Sequence, residues 1–234
     1  MCNYRAMWKI MQKQWLDFIQ QEVAKDYMIE LKSFLDSERA TKKVFPDSGS
    51  TFNHMAFCPY DRLKVVIIGD APYGQDINDG LAFSVRTNMA PEETKNLLYE
   101  AFRDYFKAWD TSTEVKHKLF PTNQLTEWAK QGVLLMNNTY TCTENDRFSH
   151  MARGWHTFND ALIDLLNQYH LPLVFVNKSN RDYRDRIQQK HLYLTSEETK
   201  WCTLANDFIR KRNVPVTEQY HQLKINWTTK ACNV

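Results

Sequence analysis

Short apolar runs separated by stretches of helical periodicity set the pattern of this chain. Leu63-Lys64-Val65-Val66-Ile67-Ile68 is rich in β-branched residues and stops at Gly69. Val133-Leu134-Leu135-Met136 and Leu171-Pro172-Leu173-Val174-Phe175-Val176 repeat the theme, and residues 191–195 offer a fourth run. Runs this short and this apolar predict strands buried on both faces of a parallel sheet. Between them, Trp8, Met11, Trp15, Phe18, Ile19 and Val23 recur at helical spacing within residues 7–35, which predicts one or two amphipathic helices. Further helices are expected over 91–106, 124–130, 155–169, 181–189 and 204–212, the first opened by Pro91 and the second closed by Gly132. Residues 41–60 read as loop. Strands alternating with helices predict an α/β fold of three layers, a central four-stranded, mostly parallel sheet flanked by helices.

Length and composition narrow this further. At 234 residues the chain suffices for one well-buried domain. The expected division is a helical segment 1–40, a core 41–212 and a tail 213–234. A net charge of +2 gives no global basic field, so any nucleic-acid footprint is a local patch. The five cysteines form no zinc-like spacing, so neither metal nor cofactor is expected. Their odd, scattered distribution suits reduced thiols in a cytoplasmic or nuclear protein that is not secreted. No apolar run reaches membrane length. A soluble monomer is the expectation.

In open α/β sheets ligands gather at the carboxyl ends of the strands. The segments to inspect follow Gly69, Met136, Val176 and Thr195. Gly69-Asp70-Ala71-Pro72-Tyr73-Gly74 is a sharp turn that projects one carboxylate and one aromatic ring. Alone, it is equally a chain reversal. Its context is more specific: Phe52-Asn53-His54-Met55-Ala56-Phe57 precedes it, Gly80-Leu81-Ala82-Phe83-Ser84-Val85 follows, and Trp128 to Asn137 and Ser149 to Trp155 come later. Together these segments resemble the uracil-DNA glycosylase superfamily, most closely family 1, over about residues 44–207.

That resemblance implies a protein that flips uracil out of DNA and hydrolyses its glycosidic bond, repaying the flip in a pocket that stacks and hydrogen-bonds the base. It implies that Phe83 stacks on the base, that the Asn137 amide reads its edge, and that Tyr73 fills the space a 5-methyl group needs. Ser84, Ser149 and His150 fall where the family contacts DNA phosphates. Read from the residues alone, core packing is the favoured reading of Phe83 and Tyr73 and a strand-end turn that of Asn137, while helix caps or surface turns account nearly as well for Ser84, Ser149 and His150.

Three departures complicate the picture. Where the family carries Gln-Asp before Pro, this chain has Asp70-Ala71, and a methyl group cannot accept a proton. The order acid-Ala-Pro also resembles family 4, where a Glu precedes Ala-Pro, which keeps Asp70 open as the catalytic carboxylate. Asp76 and Asp79 in the next turn read as exposed loop acids. The family's His-Pro-Ser-Pro loop is missing; after residues 191–196 the chain reads Glu197-Glu198-Thr199-Lys200, leaving Lys200 or His191 to meet a departing anion. The segment beyond is short, so Trp201 is the one candidate wedge or stacking ring.

Three readings compete. One is an active glycosylase for uracil or another altered pyrimidine, with Asp70 supporting an oxocarbenium-like state and water as nucleophile. Another is a catalytically silent module that binds DNA or a protein partner. The third is an assembly subunit docking through its N-terminal helices and tail.

Overall fold

Burial on both faces is what holds residues 65–69 in a strand, since every side chain of the run is covered. The computed structural model describes residues 11–86, 123–168 and 173–175, together with Tyr183 and Arg186. Its elements run as α1 (Lys13–Val23), α2 (Asp26–Thr41), β1 (Val44–Phe45), α3 (Asn53–Phe57), β2 (Val65–Gly69), α4 (Thr126–Lys130), β3 (Val133–Asn137), β4 (Cys142–Thr143), α5 (Trp155–Leu166) and β5 (Leu173–Phe175).

Among the described residues the main sheet has three strands in the order β3-β2-β5, all parallel. The α/β class and parallel pairing match the expectation. The fourth strand proposed at 191–195 lies outside the described residues, as do the helices proposed at 91–106 and 204–212. So does the one at 181–189, apart from Tyr183 and Arg186.

Two local expectations are corrected. The second helix runs on to Thr41 rather than ending near residue 35, and residues 41–60 are not all loop: they contain β1 and α3. The two-residue strand β1 pairs antiparallel with β4 in a small separate ladder.

The core lies on the α1/α5 side of the sheet. Trp15, Phe18 and Ile19 of α1 and Trp155, Phe158, Leu162 and Ile163 of α5 pack with Val66, Ile68, Leu134 and Met136. Because alternate strand residues face one side, this set selects the even-numbered positions of β2 and β3. The Trp15 indole N–H also donates to the Cys58 carbonyl at 2.8 Å, so the largest α1 side chain is fixed by a hydrogen bond as well as by packing.

Parallel register aligns the strand ends: Gly69 pairs with Asn137, the last residues of β2 and β3. Two loops therefore leave the sheet side by side, and the candidate site is built from them.

Candidate functional site

The pairing of β2 with β3 continues past the sheet. The Asn138 N–H donates to the Gly69 carbonyl at 2.8 Å and the Thr139 N–H to the Asp70 carbonyl at 3.0 Å. These bonds hold the start of the Asp70 turn against the segment that carries Asn137.

Gly69 is what allows two candidate site side chains to close on this point. A methyl group built there would stand 2.5 Å from Asn137 Oδ1, 3.1 Å from Phe83 Cε2 and 3.3 Å from Ala82 Cβ. Asn137 and Phe83, separated by 54 positions in sequence (137 − 83), thus converge on one bare Cα. Asn137 is buried, whereas Phe83 keeps part of its ring exposed.

Phe83 is held in a left-handed conformation, φ 63°, which an L side chain adopts at a cost of about 1 kcal/mol. Its neighbours supply the restraint. The Asp79 carboxylate accepts from the Leu81 N–H at 3.1 Å and from the Ser84 hydroxyl, and the Ser84 oxygen accepts the Leu125 N–H at 2.9 Å. The Ala82 N–H donates to the Leu135 carbonyl of β3 at 3.0 Å. Asp79 is buried, not the exposed loop acid expected from sequence, because Ser84 and the loop N–H groups give its oxygens partners inside the fold. Burial pushes its carboxyl up to about 6, against the lowering effect of the Ser84 hydrogen bond.

Asp70 is half-buried at the mouth of these loops. Desolvation raises its pKa from the ordinary aspartate value, opposed by the positive charge of Arg147 and by the nearby Asn138 side chain. Arg147 also binds the turn directly, with Nη2 3.0 Å from the Ala71 carbonyl and Nε 3.3 Å from that of Pro72. Its guanidinium stands 5.5 Å from the Tyr73 ring centroid. Tyr73 is half-buried, and desolvation pushes its phenol up to about 12, so the ring is neutral.

Behind the site runs a buried polar network. The Tyr140 hydroxyl donates to Asn159 Oδ1 at 2.6 Å, and Asn159 Nδ2 donates to the Asn137 and Asn138 carbonyls, each at 3.0 Å. The Tyr183 hydroxyl donates to Asn138 Oδ1 at 2.8 Å.

The described residues read as phosphate contacts are engaged within the fold. Ser84 is fully buried, its hydroxyl engaged with Asp79 and Leu125. Ser149, partly exposed, accepts from the Thr143 N–H at 2.8 Å and donates to the Asp146 carbonyl at 2.9 Å. His150 is buried beneath α2, with Nδ1 2.9 Å from Thr141 Oγ1 and Nε2 3.6 Å from Glu38 Oε2. Lys200 and Trp201 lie outside the described residues. Among the described residues no cluster of His, Cys, Asp and Glu forms a metal-binding set. No described helix is long and apolar enough to cross a membrane.

Sequence reasoning overlooked Arg147, Asn138 and the burial of Asp79. Arg147 lies 77 positions from Asp70 in sequence (147 − 70), so no local pattern connects them. The nearest signal was the loop's place at the end of a second strand.

Known proteins resemble the chain in sequence and in fold. A uracil-DNA glycosylase 1 of Listeria innocua is 36% identical over 228 residues, spanning 93% of this chain and 98% of its own. The chain belongs to the uracil-DNA glycosylase family. A uracil-DNA glycosylase 2 of Bacteroides fragilis is 33% identical over 227 residues, covering 92% of this chain and 98% of its own. The crystal structure of mimivirus uracil-DNA glycosylase superposes with a TM-score of 0.66 at 25% identity, over 83% of this chain and 70% of that one. A mimivirus structure in complex with UGI gives a TM-score of 0.68 at 21% identity over 97% of this chain and 91% of its own, a likeness of fold. No protein-family model matches the sequence.

Proposed function

We propose that the chain removes uracil, or a modified pyrimidine, from DNA by hydrolysing its N-glycosidic bond, with Asp70 as the carboxylate of a rearranged site. The observation that carries this is the convergence of Asn137 and Phe83 on Gly69 at the mouth from which the Asp70 turn departs. An amide offers a donor and an acceptor to a pyrimidine edge, and an aromatic face gives the flipped base a stacking partner. Tyr73, neutral and half-buried in the same turn, takes the role of excluding a 5-methyl group.

As the C1′–N bond breaks, its electron pair leaves with the base and positive charge builds on the sugar. The ionised Asp70 stabilises that charge, and water adds to C1′ while its proton passes to the carboxylate. Ala71, buried and bound through its carbonyl to Arg147, supplies no such group. Hydrolysis needs no metal and no cofactor on this reading, and the partner is single- or double-stranded DNA.

The test is excision of uracil from a single-stranded oligonucleotide by the native chain and by Asp70→Asn. The native chain is expected to cleave, with a rate that rises with pH through a value above the ordinary aspartate range, because the ionised carboxylate acts and burial has raised its pKa. Asp70→Asn is expected to lose about 100-fold or more. Equal rates for the two would remove Asp70 from the chemistry. No cleavage of any tested base, with DNA affinity that strengthens as salt falls, would support instead a silent module that binds DNA or a protein partner, the reading favoured by the methyl at Ala71.

A further inference from the structure

One side chain binds the strand-end turn between Asp70 and Tyr73, at the carbonyls of Ala71 and Pro72. We infer that Arg147 is a positioning residue for the reaction: its guanidinium ties the loop 142–150 to the Asp70–Tyr73 turn and fixes where the carboxylate and the phenol ring stand. The inference rests on the proposed role of Asp70.

The turn has two clamps. On the strand side, Asn138 and Thr139 hold the Gly69 and Asp70 carbonyls. On the other, Arg147 holds those of Ala71 and Pro72. The four consecutive carbonyls of residues 69–72 are therefore all engaged, the last two by one planar fork. A guanidinium suits this because its donors lie in a fixed geometry, whereas an ammonium is a point charge. The same group lies 5.5 Å from the Tyr73 centroid and 5.8 Å from that of the exposed Phe148, so its plane is restrained by two aromatic rings.

Its charge also matters to what it holds. Asp70 faces Arg147 and the Asn138 side chain; Tyr73 faces Arg147 and Asp79. Arg147 favours the ionised carboxylate that the chemistry requires.

The variants are Arg147→Met, which keeps an unbranched stem but neither fork nor charge, and Arg147→Lys, which keeps charge alone. Two readouts are needed: single-turnover excision of uracil from a single-stranded oligonucleotide across acidic to neutral pH, and a carbon-13 titration of the Asp70 carboxyl. With Arg147→Met the carboxyl is expected to titrate higher, and the acid limb of the rate profile to move with it. Its plateau rate is expected to fall about tenfold as the turn loses its second clamp. Arg147→Lys should return the acid limb towards the native position without restoring the full plateau.

An Arg147→Met variant with the native limb and the native Asp70 titration would overturn the inference, even if its DNA affinity fell, since that pattern describes a phosphate contact. Should the native chain excise nothing, the proposed chemistry fails by itself. The Asp70 titration still decides Arg147: a shift supports its hold on the turn, and no shift overturns it.

Discussion

At Gly69 the absence of a side chain does more than ease a turn. Its backbone is outside the left-handed region, so alanine fits the chain conformation there, and the obstacle is the approach of neighbouring side chains, Asn137 first, then Phe83 and Ala82. Gly69→Ala would set a methyl 2.5 Å from the Asn137 amide oxygen, closer than such atoms can stand, and 3.1 Å from the Phe83 ring, a tight contact that a small shift relieves. The amide is the flexible partner and yields first. We expect a stability loss of about 1–3 kcal/mol by urea denaturation. Uracil excision should fall more steeply, by about 100-fold, because a displacement near 1 Å suffices for that. A Gly69→Ala chain that excises at the native rate would show that the convergence of these two side chains is packing rather than recognition. The residue scale also shows what sequence reading could and could not reach. Asn137, Phe83 and Tyr73 were singled out through resemblance, and the first two meet. Residues whose importance depends on distant partners were missed: Arg147 is an ordinary loop arginine until its hydrogen bonds to Ala71 and Pro72 are seen. Asp79 looked solvated because acids in Asn-Asp-Gly turns usually are.

Elements differ in how plainly they announce themselves, for a physical reason. β2 and β3 were legible because covering both faces demands an unbroken apolar run. The last turn and a half of α2 was not, because residues 36–41 read Asp-Ser-Glu-Arg-Ala-Thr and carry no apolar stripe. That stretch is supported by ion pairs one turn apart, Lys32 with Asp36 and Lys42 with Glu38, and by Arg39, which donates to the Val44 and Pro46 carbonyls. The two-residue strands β1 and β4 are too short to show any period. The joint between α5 and the end of β3 was invisible too, since it depends on one amide. Asn159, on α5, accepts from Tyr140 and donates to two carbonyls at the point where Asn137 leaves the sheet. Asn159→Ala leaves three buried polar groups without that partner, and we expect a loss of roughly 2–4 kcal/mol in urea. Asn159→Asp keeps the acceptor for Tyr140 but turns a carboxylate toward two carbonyl oxygens, so it should be no better. If either variant unfolded at the native midpoint, α5 would not be what fixes the recognition segment.

For the molecule as a whole, two buried groups pull stability in opposite directions as pH changes. His54 is fully buried and stacked on Tyr140, with centroids 4.5 Å apart, and burial lowers its pKa to about 3 against a smaller opposing contribution from the Thr51 backbone. The unfolded chain takes up this proton near 6.5 and the folded chain does not, so this contribution is whole above about pH 6.5 and drains away on acidification toward 3. Asp79 does the reverse. Its folded pKa of about 6 exceeds the ordinary 3.8, so its stabilising contribution is complete below about pH 4 and is lost as pH rises through 6. Between pH 4 and 6 the folded chain binds one proton more than the unfolded chain at Asp79 and one fewer at His54, and the two slopes cancel. Asp79→Asn removes one side of that balance. At about 1.4 kcal/mol per pH unit, its unfolding free energy should fall by roughly 2–3 kcal/mol more than the parent's between pH 6 and 4. Urea midpoints with a constant m-value, measured at several pH values in that window, would show the divergence. Parallel profiles would mean that the carboxylate beneath the Phe83 loop does not change its protonation over this range. His54→Phe supplies the mirror image, because it leaves Asp79 unopposed and should make the chain progressively less stable from pH 4 to 6. Agreement of both variants with these opposite slopes would fix the sign of each contribution without relying on either alone.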